Sequence, residues 1–364
     1  MVPVGWALRA AGHEVRVAVP PACVNTVADS GLPALSAGQD VEVVRGTPGR
    51  QESNGHAPRA RVLNALDTFV RVADSMADDL VGYARTWRPD LILHDPLAFA
   101  GPLAAGVLDV PSVRHLWGVD MTTNGTESQA SLLAELGSFG SLLSRFGLRE
   151  VADLGTLTLS PCPPSMQVPA RSERQPVQYV PYNGPGVQPR WAASLPRVPR
   201  VCVTWGRTVA RFAGRISFPA QAVVEAALAE GAEVLVATTS EQLPELPPDV
   251  RVAMSVPLHM LLPACSAIVH QGGGGTVLTS LRAGIPQLVL GRLPDHAFHA
   301  DRVARAGVGL RLDPGEADVP RLRAELSRLL SEPAYTEAAQ RMREEMLAQP
   351  TPADVVGVLE RLGR

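Results

Sequence analysis

Short apolar runs alternate with amphipathic stretches along nearly the whole chain. In the first half Glu14–Val19, Leu91–His94, Val110–Leu116 and Thr156–Ser160 have the length and composition of strands, with weaker ones at Val41–Val44 and Val177–Val180. In the second half the strand-like runs are Val201–Trp205, Glu233–Ala237, Val250–Met254, Ala267–Val269, Gln287–Leu290 and Val308–Leu312. Helical spacing fills the intervals: Ala22–Ser30, Arg61–Trp87, Leu97–Leu108, Pro219–Ala229, Leu258–Leu262, Thr276–Ala283 and His296–Ala306. The long one carries Val62, Leu66, Phe69, Val70, Ala73, Met76, Leu80 and Val81 on one face. Three further helices, Pro320–Leu330, Tyr335–Leu347 and Ala353–Leu362, close the chain. Strand and helix in repetition predict an α/β protein of two Rossmann-like, doubly wound halves with a cleft between them. Ligands of such sheets sit at the carboxyl ends of the strands.

The start of the pattern is unusual. Met1–Ala11 is helical in spacing, with Val4, Ala7, Leu8 and Ala11 on one face, where an α/β half would open on a strand. A first strand is therefore expected upstream. Residues 183–199, rich in proline and glycine, read as a linker between a half at 1–182 and a half at 200–350. Residues 118–147 read as irregular and then helical, and 45–60 and 161–174 as loops.

Composition narrows the chemistry. At 364 residues and 46% hydrophobic content the chain suits two domains with sizeable cores. The formal net charge of -3 implies no strong field for nucleic acid. All 33 basic residues are arginine, which excludes a Walker A lysine and a Schiff-base lysine. The four cysteines, Cys23, Cys162, Cys202 and Cys265, are too far apart for metal or redox spacing and fit a reduced, cytoplasmic setting. No run of about 18 apolar residues predicts a membrane span, and the N-terminus lacks the order of a signal peptide.

The stretch from Cys265 to Gly291, CSAIVHQGGGGTVLTSLRAGIPQLVLG, organises the rest. An apolar strand ends in His270-Gln271, four glycines follow, and a helix begins that stops at Gly284 with Pro286 just beyond. The first turn of a helix has free N–H groups and partial positive charge, and glycines let a phosphate approach the backbone. A diphosphate is the natural guest; a ligand-free tight turn is the plainer alternative, at a cost in backbone entropy for four glycines. Asp295, His296, His299 and Asp301 are residue types that ligate metals, but their spacing follows no recognised order. The chain has no D-x-D, so a divalent ion bridging a diphosphate is not expected.

VHQGGGGT, AGIPQLVL and LPDHAFHADRVARAGVG together resemble the donor-binding region of family 1 glycosyltransferases with the GT-B fold. MVPVGWALRAAGHEV, HDPLAFAGPLAA, VRHLWGVD, CPPSMQ, VQYVPYNGPG and VCVTWG narrow the resemblance to the actinomycete branch that glycosylates polyketide and other antibiotic aglycones, rhamnosyltransferases in flavour. The resemblance implies an inverting, metal-independent transferase that moves a deoxysugar from a thymidine diphosphate (TDP) sugar to an aglycone. The active site would lie in the cleft, with acceptor binding in residues 1–182 and the nucleotide sugar in 200–350. The segment 351–364 would pack back on the N-terminal half. The TDP-sugar is then a co-substrate and no cofactor is implied. Partners are the small-molecule aglycone and the TDP-deoxysugar; a homodimer is compatible with the resemblance, and neither nucleic acid nor membrane is implied.

Residue by residue, the resemblance places the diphosphate on His270 and on Gly272, Gly273, Gly274, Gly275 and Thr276. It sets Val256 and Leu258 under the nucleobase, and Asp295 with His296 where an Asp-Gln pair reads the sugar hydroxyls. His296 departs from the glutamine. Gly206 and Arg207 follow Trp205, and an arginine there suits a phosphate. Transfer to an alcohol needs a base. The family's histidine falls upstream of Met1, so Asp120, ahead of His115, is the candidate within the chain. The rival reading is a non-catalytic helper or degenerate homologue that binds a partner enzyme. A nicotinamide dehydrogenase ranks lower: no G-x-G-x-x-G follows a strand in the first half, and the glycines of the second lack the acidic residue about 20 positions on.

Overall fold

The computed structural model describes residues 1–42, 58–122, 128–151, 155–169, 173–194, 196–206, 218–238 and 245–364. The chain divides into two compact units. One comprises Met1–Pro161, Val168–Val177 and Pro350–Arg364; the other comprises Cys162–Gln167 and Gln178–Gln349. The stretch 183–199 belongs to the second unit throughout.

In the first unit β1 (Val17–Val19) pairs in parallel with β2 (Ala34–Ser36), Val17 opposite Ala34. A separate parallel sheet runs in the order β3 (Ile92–His94), β4 (Ser112–His115), β5 (Leu157–Ser160), β6 (Arg174–Pro176). Neighbouring residues of β3 show that both faces are covered. Ile92 packs with a cluster built from the helices Pro58–Trp87 and Ala100–Leu108. Leu93 packs with Val113, Leu159, Val4 of the helix Val2–Ala10, and Val355 and Leu359 of the helix Pro352–Leu362.

Three expectations change here. The helix predicted from Arg61 begins at Pro58, and Val62, predicted on its buried face, is exposed; Leu66, Val70, Ala73, Ala77, Val81 and Ala84 form the buried stripe instead. No strand includes Val41 or Glu42; Val43 and Val44 lie outside the described residues. The strand forms earlier, at Ala34–Ser36. The last strand of the sheet is Arg174–Pro176 rather than Val177–Val180. It lies on the sheet's edge, where a proline lacking an N–H is tolerated and polar residues are common.

The second unit is one six-stranded parallel sheet: β7 (Arg200–Thr204), β8 (Glu233–Thr238), β9 (Arg251–Met254), β10 (Ala267–His270), β11 (Gln287–Val289) and β12 (Gly309–Arg311). Its spatial order is β12-β11-β10-β7-β8-β9. Val201, Val203, Val236 and Val269 face a cluster with the helices Ala220–Ala229 and Val319–Ser331; Cys202, Leu235 and Ile268 face another with Leu261 and Leu262. Burial on both faces is why these strands read as continuous apolar runs. The order reverses direction between β7 and β10, and that switch point is where a doubly wound sheet opens a crevice at the carboxyl ends of its strands. Among the described residues no helix is long and apolar enough to cross a membrane.

Candidate functional site

At the switch point Gly206 follows β7, and Gln271 and Gly272 follow β10. The two segments nearly touch: a Cβ on Gly206 would stand 2.3 Å from Nε2 of Gln271. The helix predicted from Thr276 begins two residues earlier, at Gly274, with Gly273 as its cap. That cap offers no side-chain acceptor, and the first turn holds no acidic residue. The first intrahelical bond is Val277 N–H to Gly273 O, 3.0 Å. The N–H groups of Gly274, Gly275 and Thr276 are thus left pointing out of the helix, with the positive end of the dipole uncompensated. Gly275 is exposed and a Cβ there would meet nothing. An anion of phosphate type is what such an end accepts.

His270 does not take the place expected of it on the diphosphate. It is fully buried. Its Nε2–H donates to Oε1 of Gln287 at 2.9 Å, and its Nδ1 accepts the N–H of Gly272 at 3.0 Å. Both ring nitrogens are consumed inside the protein. Burial lowers its pKa to about 4, so the ring is neutral at pH 7. Its part is to hold the turn rather than to touch a ligand.

Gly272 has φ of +96°, and a Cβ on it would meet the carbonyl oxygen of His296 at 2.8 Å. Gly272→Ala therefore combines a left-handed alanine with a backbone clash. We expect a stability loss of about 2 kcal/mol. We also expect kcat/KM to fall about 100-fold as the turn is displaced. Wild-type kinetics in this variant would show that the turn is not pressed on the helix Pro294–Arg305.

That helix begins with Asp295 and His296 in its first turn. The Asp295 side chain is 37% exposed, whereas His296 is almost wholly buried, with Nε2 3.7 Å from Oδ2 of Asp295. Only the aspartate of the expected sugar-reading pair is open. Val256 and Leu258 are half-buried and pack against the cluster that holds Leu235, Leu261 and Ile268. Their turn is tied down by Asn183, whose Oδ1 accepts from the backbone N–H of His259 at 3.2 Å, and by Gly186, whose Cβ would stand 2.2 Å from Cδ of Pro257. Arg207 lies outside the described residues. Trp205 stacks on Phe218 at 5.7 Å within the core.

Sequence reasoning passed over three residues. Tyr179 donates to Gly275 O at 3.3 Å and meets Oγ1 of Thr279 at 3.0 Å, propping the first turn of the glycine-rich helix. Gln287 was legible only as the start of a strand. The third, Asp95, belongs to the first unit.

The two base candidates of the first unit are differently placed from expectation. Asp120 is buried with a fully covered side chain. Its Oδ2 pairs with Arg114 at 2.8 Å and Arg174 at 3.0 Å, and its Oδ1 accepts from Thr122 Oγ1 at 2.7 Å. Burial pushes its carboxyl up, but Arg114, Thr122 and Arg174 outweigh that and hold it below the usual range. A carboxylate so paired is a poor proton acceptor, and its geometry ties β4 to β6. His115 is buried, with Nδ1–H donating to Leu116 O at 2.7 Å; burial holds it well below its ordinary value. Asp95 contrasts with both. It follows β3 at its carboxyl end, is half-buried, and accepts the Leu97 N–H on Oδ1 at 2.8 Å. Burial pushes its carboxyl above the ordinary value, which makes it the more basic carboxylate. Its signal in the sequence is position alone, the first residue beyond a strand. Among the described residues no group of three or more His, Cys, Asp or Glu is placed to hold a metal ion.

Residues 6–206 match the family described as erythromycin biosynthesis protein CIII-like, N-terminal domain, and residues 221–362 match its C-terminal domain. The chain is 37% identical to the tylactone mycaminosyltransferase of Streptomyces fradiae, over 100% of this chain and 89% of that protein. The spinosyn forosaminyltransferase SpnP superimposes with a TM-score of 0.84 at 34% identity, over 100% of this chain and 94% of that one. The spinosyn rhamnosyltransferase SpnG complexed with thymidine diphosphate does so with a TM-score of 0.82 at 32% identity, over 99% and 95%. Matched in both halves and similar throughout to named sugar transferases, the chain belongs to the erythromycin biosynthesis protein CIII-like family of actinomycete antibiotic glycosyltransferases, with the GT-B fold.

Proposed function

We propose that this enzyme transfers a deoxysugar from a TDP-deoxysugar to a polyketide aglycone in antibiotic biosynthesis, with inversion at the anomeric carbon and without a metal ion. The observation that carries the reading is the uncapped, acid-free helix N-terminus at Gly273–Thr276, standing at the switch point of the C-terminal sheet. The names of the relatives, sugar transferases of macrolide type with thymidine diphosphate bound in one, support it.

The second unit is the donor-binding one on this reading. The N–H groups of Gly274, Gly275 and Thr276 receive the diphosphate, Val256 and Leu258 lie against the nucleobase, and Asp295 accepts from sugar hydroxyls. The first unit supplies the acceptor site and the base, for which Asp95 replaces Asp120. A base takes the proton of the acceptor hydroxyl as its oxygen bonds to the anomeric carbon. The bond from that carbon to the phosphate oxygen breaks, and the electron pair leaves on the nucleotide. The helix N-terminus stabilises that growing charge without reorganising. Four free thiols among the described residues suit a cytoplasmic enzyme.

The test is a thermal shift with TDP, uridine diphosphate and NAD, followed by turnover with a TDP-deoxysugar in the presence of EDTA. TDP should stabilise most, and EDTA should leave turnover unchanged. Absence of any TDP shift would remove the donor-site reading. Asp95→Asn should keep the TDP shift while kcat falls about 10²–10⁴-fold. Undiminished turnover would exclude Asp95 as the base.

A further inference from the structure

We infer that His299 is a positioning residue for the diphosphate turn, fixing the direction of the N–H of Gly273. This rests on the donor site proposed above. His299 lies one turn into the helix Pro294–Arg305 and is fully buried. Its Nδ1–H donates to the carbonyl of Gly272 at 2.9 Å. On the other side of the same residue, the N–H of Gly272 donates to Nδ1 of His270 at 3.0 Å. Gly272 is thus held at both of its peptides, in a left-handed conformation that glycine alone adopts freely.

The consequence follows from peptide geometry. In a trans peptide the C=O and the N–H point in opposite directions. The carbonyl of Gly272 and the N–H of Gly273 belong to one peptide. With the carbonyl drawn inward to His299, the N–H of Gly273 is turned outward, beside those of Gly274, Gly275 and Thr276. None of these four N–H groups has a protein acceptor among the described residues. His299 therefore adds a fourth donor to the three that the helix end provides by itself.

His299 also fixes the turn to its neighbour. The carbonyl of His296, in the same helix, packs on Gly272, and Asp295 stands in that helix's first turn. A rigid helix thus carries both the group that orients the diphosphate turn and the carboxylate assigned to the sugar. Nε2 of His299 is buried without a partner. The hydrogen bond to Gly272 needs only the Nδ1–H, so an amide nitrogen on the same Cγ can replace the ring.

The test compares His299→Asn, His299→Gln and His299→Leu by donor KM, acceptor KM, TDP-induced thermal shift and melting temperature without ligand. Asparagine places its nitrogen where Nδ1 stands; glutamine moves it by one methylene. Donor KM in His299→Asn should stay within about threefold of wild type, and rise about tenfold in His299→Gln and more in His299→Leu, with acceptor KM unchanged. Equal donor KM in wild type, Asn and Gln variants would overturn the inference, as would a folded His299→Asn as defective as Gln. The Asn and Gln pair decides the matter if the leucine variant fails to fold. A wild-type protein that gives no shift with TDP would instead bring down the donor-site reading itself.

Discussion

Between pH 7 and pH 5 the protein will lose about 4 kcal/mol of stability through two histidines alone. His94 and His270 are buried, and burial lowers each to about 4 from an ordinary value of 6.5. The folded state therefore does not take up the protons that the unfolded chain binds as pH falls below 6.5. Stability is fully present above 6.5, declines as pH drops, and levels off below 4. Each histidine contributes about 1.4 kcal/mol per pH unit across that window. His115, His296 and His299 are also held down by burial and act in the same direction. Asp95, pushed up by burial, opposes them: its folded state takes up a proton above the ordinary carboxylate value, where the unfolded chain does not. Chemical denaturation at pH 7 and pH 5 measures the difference. A flat profile would mean that the histidines are not buried neutral as described. His270→Gln, which retains an acceptor near Gly272, should flatten the curve by nearly half.

Asp120→Asn should cost about 3–5 kcal/mol, a structural rather than a chemical loss. The substitution puts a neutral amide in place of a buried carboxylate that pairs with both Arg114 and Arg174. Thr122 donates to Oδ1 from both its N–H and its Oγ1, and the single oxygen of asparagine cannot serve Thr122 and the arginines together. The melting temperature should drop markedly, and turnover should recover in proportion to the folded fraction when the variant is assayed at low temperature. A variant with wild-type stability and lost turnover would return Asp120 to the role of base. The Asp95→Asn variant should behave in the opposite way, stable and slow.

The strand and helix order of the second unit was legible from periodicity because every central strand is buried on both faces, so no polar residue interrupts it. The edges were not. Ala34–Ser36 and Arg174–Pro176 are three residues each and carry little apolar signal, since an edge is held by one neighbour only. The glycine-rich turn and the stop at Gly284 were legible, since Gly272 to Gly275 and Gly284 state their backbone needs in their own identity. Its helix nonetheless starts at Gly274, because glycine's low helix propensity hides a first turn stabilised by what surrounds it.

The sequence by itself determined the α/β class, the place of the glycine-rich turn and the kinship to sugar transferases, all of which depend on local order of residue types. The tertiary structure alone decided which ionisable groups are free to act. Asp120 is spoken for by Arg174, 54 residues away, and Gly272 by His299, 27 residues away. Hydrogen bonds and charge pairs are short-ranged in space and indifferent to separation along the chain. A histidine at a strand end or an aspartate after a strand therefore looks the same in the sequence whether the fold leaves it open or consumes it.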